Sequence, residues 1–310
     1  MPASGEEKDI FHHVRDFPYF HFPFEKRLWL PDLNLFGYHF QLTKFMVLQL
    51  VAGVFLLLVF RGLSRRIASG QAARGGWWNF WEMLALYIRD NVVRPTIGDG
   101  AHHGHGEDGY DEHGHDEHAH EPASTHAPVE SIHPADKYLP FVWTCFFYVL
   151  VCNLLGAFPW LGSPTGEINV TGALAAVTVV AVIFYGSQRS GFAGFWLSLA
   201  PSMDLSPVMK VILVPVIWII ELAGFVIKHG VLAIRLFANM MGGHTVVAVI
   251  MLFIATAAYS HSAWLYYVVV PSSIFGQLFV GTLELLFAFV QAYIFAFLAT
   301  LFIGMAVHPH

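Results

Sequence analysis

The sequence predicts an all-α integral membrane protein with about five membrane helices and one interfacial amphipathic helix. The last two membrane helices are long, tilted and paired as a hairpin. Three observations carry this expectation. Of 310 residues, 56% are hydrophobic and only 12% charged, and the mean hydropathy is +0.56, far from that of a soluble globular chain. Three apolar runs approach the ~20 residues that one crossing needs. Two further runs exceed 40 residues, and a straight helix of that size is about 60 Å long, twice the hydrocarbon thickness. The net charge of −6, with no gathered basic patch, argues against a nucleic-acid partner.

Residues 1–41 form an extracytoplasmic N-terminal segment of clustered aromatics with His12-His13 and no run long enough to span. The stretch Met1 to Phe24 is polar and aromatic, so no secretory signal is expected. The first membrane helix is predicted over 42–60. Arg61, Arg65, Arg66 and Arg74 follow at once, which places that flank in the cytoplasm and the N-terminus outside.

Trp77-Trp78-Asn79-Phe80-Trp81-Glu82 opens an amphipathic stretch, predicted as an interfacial helix over 75–97 lying on the cytoplasmic surface. Glu82, Arg89 and Asp90 discourage its full insertion. Residues 98–137 are a His- and acid-rich insertion, expected to be disordered because it has too little apolar surface to fold alone. His102, His103, His105, His113, His115, His118 and His120 permit weak metal binding, but their spacing is not that of a fixed ligand set, and no metal site or cofactor is expected.

Residues 138–158 and 170–186 form a membrane hairpin. The loop between them, Trp160 to Asn169, holds Glu167 but no Lys or Arg, as an outside loop should, and Arg189 marks the return to the cytoplasm. Cys145 and Cys152 lie two helical turns apart within one apolar run, too far for a disulfide, and are expected to be packing residues. The long helices are predicted over 206–259 and 263–307, with Ser260-His261-Ser262 as the turn between them. This gives a cytoplasmic C-terminus.

The polar residues inside these long segments hold the chemistry. Arg235 sits in the stretch Gly230 to His244, and an arginine at bilayer depth costs about 2.5–3.5 kcal/mol on insertion scales. Such a group marks an ion pathway or gate. At 100° per residue, Asn239 lies about 40° from Arg235, and Glu221 and Lys228 fall on the same stripe. His244 lies about 180° away and needs a different polar neighbour. Glu284 on the last helix is the only acidic residue available there, and it shares a face with Gln291. A His–Glu pair can exchange protons, whereas an arginine stays protonated. The blander readings are a packing histidine at 244, a Glu221–Lys228 bridge, and Lys228 and His229 reaching to one membrane face.

The run Ile234-Arg235-Leu236-Phe237-Ala238-Asn239-Met240 resembles subunit a of F-type ATP synthases. The resemblance extends over Leu57 to Arg61, Asn153-Leu154-Leu155, Glu167 to Thr171 and Gln291 to Phe295, in family order. It implies that Arg235 is the essential charge facing a ring of c subunits, with Asn239 and Gln291 as polar residues near it. Glu221 would lie near the cytoplasmic half-channel. His244 and Glu284 occupy two positions where many bacterial members have Glu and His instead, an exchange that keeps one acid and one imidazole across the helix pair. The implied mechanism has two offset half-channels that do not meet. Protons enter through His244 and Glu284, load a rotor carboxylate, and leave near Glu221, with Arg235 between the paths.

The implied partners are the c ring, the subunit b peripheral stalk, the rest of the complex and membrane lipids, in a bacterial inner membrane. No Walker-type loop is present, so the chain itself would bind no nucleotide. A secondary transporter is the alternative, but no second copy of the Arg235 stretch signals an internal repeat. A haem-binding cytochrome is disfavoured, since His229 and His244 are about 22 Å apart along one helix.

Overall fold

Twenty-five residues from Lys44 to Ala68 form the first helix, α1, whose apolar run ends in Arg65 and Arg66. It continues past Phe60 because the arginines at its end can reach polar surroundings while the backbone stays helical. The computed structural model describes residues 19–21, 27–35, 38–68, 75–98, 133–158, 162–198, 207–259 and 263–307. The seven histidines from His102 to His120, and the turn expected at Ser260-His261-Ser262, lie outside the described residues.

Ahead of α1 are two short antiparallel ladders that the sequence reading did not anticipate. Strand β1 (Tyr19–His21) pairs with β2 (Arg27–Trp29), and β3 (Asp32–Leu35) pairs with β4 (Tyr38–Gln41). Apolar and polar residues alternate along β3, and Leu33 sits opposite Phe40, which is the two-residue period of a strand. The all-α membrane architecture holds for the rest of the described chain, with five helices long and apolar enough to cross a membrane.

Helix α2 (Gly76–Ile88) runs through a π-helical turn, Arg89–Val93, into α3 (Arg94–Gly98). Trp81, Ala85, Ile88, Val92, Val93 and Ile97 form its buried stripe. Trp81 packs on Phe55 of α1 and on Phe147, and the indole of Trp143 donates to the Ala85 carbonyl at 2.9 Å. The segment is therefore docked along the bundle by its apolar face. Its end holds an ion network: Arg94 Nε and Nη2 donate to the two carboxylate oxygens of Asp136 at 3.1 and 3.0 Å. Asp90 also binds Arg89, at 2.8 Å.

A 3-10 turn, Pro134–Tyr138, leads into α4 (Leu139–Gly156), which sits at the centre of the bundle. Of its apolar window 61% is buried, against 17% for the seventh helix, so α4 is core and the seventh helix is a face. Cys145 and Cys152 are both buried in α4, unpaired, as packing residues. After a 3-10 turn at Pro164–Gly166 comes α5 (Ile168–Ser190), whose Tyr185 ring meets Phe141 of α4. Gly191, at φ +76°, turns the chain into the short α6 (Phe192–Ser198), a conformation that favours glycine.

Helices α7 (Pro207–Tyr259, 53 residues) and α8 (Ala263–Val307, 45 residues) complete the chain. At 1.5 Å per residue they are about 80 and 68 Å long, far more than a perpendicular crossing requires. Each contains one interior proline, Pro215 or Pro271, without losing its helical run. The two pack on each other, and both pack on α5.

Candidate functional site

Helix α7 sorts its residues onto two sides. His229, Leu232, Ala233, Leu236 and Met240 are buried, at the three- and four-residue steps of one helix face. Glu221, Lys228, Arg235 and Gly242, seven apart, are exposed on the other side. Asn239 is half-buried at its margin. Arg235 makes no hydrogen bond or ion pair among the described residues, although every neighbour in sequence is apolar. Glu221 and Lys228 form no bridge with each other among the described residues either, so their shared stripe is not a structural ion pair.

His244 continues the packed side, one turn beyond Met240. Its Nδ1 lies 3.7 Å from Glu284 Oε1, with side-chain exposures of 17% and 12%. That is ion-pair distance, roughly 0.8 Å longer than an ordinary hydrogen bond, so a small side-chain shift would join the two. Gly243 makes the approach possible. A Cβ there would lie 3.2 Å from Glu284 Oε1 and 3.3 Å from its Cδ. Between the helices a cavity of about 410 Å³ is lined by Asn239, Gly242, Gly243, Val246, Leu283 and Glu284, among others. The structure thus brings Asn239, Glu284 and, behind it, His244 together at one level of the hairpin. Glu221, lower on α7, and Gln291, two turns along α8, lie outside that cavity.

Gln291 is buried, and its Nε2 has no hydrogen-bond partner among the described residues. It lies one turn from Ala288, whose carbonyl accepts from Asn153 Nδ2 at 3.5 Å. Asn153 in turn accepts from Thr165 Oγ1 at 2.7 Å, and Ser163 shares a 2.7 Å bond with the same hydroxyl. This fully buried polar cluster on α4 ties the loop before α5 to the middle of α8. Sequence reasoning missed it as a structural unit, since nothing in the spacing of these residues links them to Ala288. His229 does not extend from the surface of the bundle. It is buried between Phe225 and Phe302, with ring centroids 4.5 Å apart on each side, and its Nδ1 bonds the Phe225 carbonyl at 2.8 Å.

No group of three or more His, Cys, Asp or Glu able to hold a metal occurs among the described residues. The chemistry at hand is a fixed, unpaired cation on an open helix face and a titratable acid–imidazole pair on the opposite side of the same helix.

Known proteins resemble this chain over nearly its whole length. Residues 125–304 match the family described as ATP synthase A chain. The chain is 33% identical to ATP synthase subunit a of Chloroherpeton thalassium, an alignment spanning 97% of this chain and 77% of that protein. It is 33% identical to ATP synthase subunit a 2 of Chlorobaculum tepidum over 98% of this chain and 75% of the relative. The corresponding values for ATP synthase subunit a of Myxococcus xanthus are 30%, 96% and 88%. A secondary transporter is not favoured by any of these matches. With more than half of the residues inside the family's span, and relatives aligned over nearly the whole of this chain, the chain belongs to the ATP synthase subunit a family, the proton-translocating subunit of the enzyme's membrane sector.

Proposed function

We propose that the α7–α8 hairpin carries two offset proton half-channels and that Arg235 stands between them, facing a ring of c subunits. The observation that carries this reading is the sidedness of α7. An unpaired guanidinium occupies an open face, while the His244–Glu284 pair occupies the packed one. A helix that needed Arg235 for its own packing would have given it a carboxylate. An open face instead leaves that role to an external group, here the rotor carboxylate.

In this mechanism protons enter past His244 and Glu284 and reach the cavity bordered by Asn239. They neutralise the rotor carboxylate, which can then enter lipid. On the far side of the ring's turn, the carboxylate releases its proton toward Glu221, which is exposed about 21 Å along α7 from Arg235. Arg235 favours the ionised carboxylate as it passes and, being permanently charged, relays no proton itself. Gln291 and Asn239 supply hydrogen-bonding groups on either helix. The driving term is about 2.3 kcal/mol per charge per 100 mV. The peripheral stalk of subunit b and the rest of the complex hold this chain against the torque.

Arg94, Lys137 and Arg189 belong to one end of the bundle, where Arg94 binds Asp136, Lys137 bonds Gln188, and Lys137 and Arg189 line one cavity. That clustering supports a cytoplasmic placement of this end in a bacterial inner membrane, with the N-terminus outside. The deciding experiment is Arg235→Ala in inverted vesicles: proton pumping driven by ATP should vanish while the chain still inserts. Pumping at the parental rate would overturn the role given to Arg235.

A further inference from the structure

A second cavity, of about 470 Å³, opens where α5 and α8 end and the 3-10 turn before α4 begins. It lies at the basic end of the bundle, far along α8 from Glu284. Lys137, Arg189, Gln188, Tyr138 and Tyr185 supply its polar wall, and Ile97 and Val307 its apolar floor. Among the described residues, no acidic one lines it. Asp136, next to Lys137 in sequence, is not part of the lining and is held by Arg94 at 3.0 Å. Lys137 Nζ donates to Gln188 Oε1 at 3.1 Å, and neither Lys137 nor Arg189 has a carboxylate partner among the described residues. Two cations with no carboxylate partner among the described residues therefore share one concave site. The Tyr138 and Tyr185 rings, 4.9 Å apart edge to face, belong to the residue type favoured at a membrane–water boundary.

The outer surface of α5 leads straight into this site. Val177, Val180 and Phe184 are 54%, 66% and 53% exposed, and with Gln188 they follow one helix face at steps of three and four. A molecule seated here would meet positive charge at one end and a bare apolar stripe at the other. We propose that this cavity binds the phosphodiester headgroup of an anionic phospholipid, with its acyl chains along the Val177–Val180–Phe184 face of α5. The volume suits a small polar headgroup, since ligand cavities commonly hold about 300–1,000 Å³. Basic pockets between membrane helices are suited to such headgroups because the guanidinium binds phosphate oxygens in a planar fork while the ammonium adds a point charge. The site is independent of the proton path and would stand if the role of Arg235 were different.

The test uses the complete synthase complex in phosphatidylcholine vesicles containing a small fraction of photoactivatable phosphatidylglycerol, with crosslinked peptides of this subunit read by mass spectrometry. The parent should label within 177–189 and 133–138, and labelling should fall about tenfold when a phosphatidylcholine probe replaces the anionic one. Lys137→Gln with Arg189→Gln should lose the phosphatidylglycerol label to a similar extent, whereas Lys137→Arg should retain most of it. Excess unlabelled phosphatidylglycerol should compete and inorganic phosphate should not. Equal labelling by the two probes on the parent would overturn the proposal even if the double variant failed to assemble. Competition by inorganic phosphate would overturn it in favour of a soluble-anion site.

Discussion

Arg94 and Arg235 are the same side chain placed in opposite circumstances. Arg94, at the basic end of the bundle, reaches both oxygens of Asp136 and lies 3.5 Å from Asp90. Arg235, in the middle of α7, has no polar partner among the described residues and faces outward from a helix whose other side is tightly packed. A charge that serves folding is paired within its own chain, because an unpaired charge at low dielectric is expensive. A charge left open on a membrane helix is stable only when a group outside the chain completes it. On this difference we propose that Arg94 serves architecture and Arg235 coupling, and each role can be broken separately.

The largest expected effect is at Arg235. Arg235→Ala should abolish ATP synthesis driven by a proton gradient while leaving subunit abundance in the membrane unchanged, as read by immunoblot of the same vesicles. Arg235→Lys should recover little, since a compact ammonium does not reproduce the guanidinium fork. If the lysine variant synthesised ATP at the parental rate, the planar geometry would be irrelevant and only charge would matter.

Next in size is the acid–imidazole pair. Glu284→Gln keeps the shape and removes the titratable proton, and ATP-driven acidification should slow about a hundredfold or more, the usual scale of losing a positioned proton-transfer group. Moving the acid across the pair, His244→Glu with Glu284→His, should restore a measurable part of that rate. An unchanged rate in Glu284→Gln would remove the pair from the path. A smaller effect is expected at Gly243, where an added Cβ would sit 3.2 Å from Glu284 Oε1. The carboxylate end can yield by a few tenths of an ångström, so Gly243→Ala should lower the acidification rate about fivefold, equivalent to roughly 1 kcal/mol. Parental activity in Gly243→Ala would show that Glu284 works equally well from a displaced position.

Much of this arrangement is legible in sequence because helices are periodic. Nine steps of 100° put Arg235 and His244 about 180° apart, and in the structure one is open and the other lies on the packed side. Length and hydropathy mark the membrane-long segments for the same reason. Contacts made across the bundle have no such signature. Arg94 and Asp136 are 42 residues apart in sequence, and Asn153 reaches a backbone carbonyl 135 residues away. Nothing local announces either meeting. Gly243 appears in sequence only as a weak point in a helix, whereas its consequence depends on which side chain crosses in front of it. The strand ladders were missed because three or four alternating residues are too few to stand out among clustered aromatics.

The smallest effect belongs to Arg94, and its sign pattern is specific. Arg94 and Asp136 are 25% and 21% exposed, so solvent screens their attraction and the coupling should be only about 1 kcal/mol. Arg94→Gln leaves the Asp136 carboxylate half-buried without its cation, while Asp90 keeps Arg89 at 2.8 Å. The single variant should therefore be less stable than Arg94→Gln combined with Asp136→Asn, which removes the stranded charge as well. Thermal retention of the assembled complex in detergent measures this order. ATP synthesis per assembled complex should be the same in parent, single and double variants, because none of them touches the open face of α7. A double variant less stable than the single would show that Asp136 has a stabilising role apart from Arg94. Loss of synthesis in well-assembled Arg94→Gln complexes would break the division between the two arginines, since a charge already satisfied inside its own chain would then also be taking part in coupling.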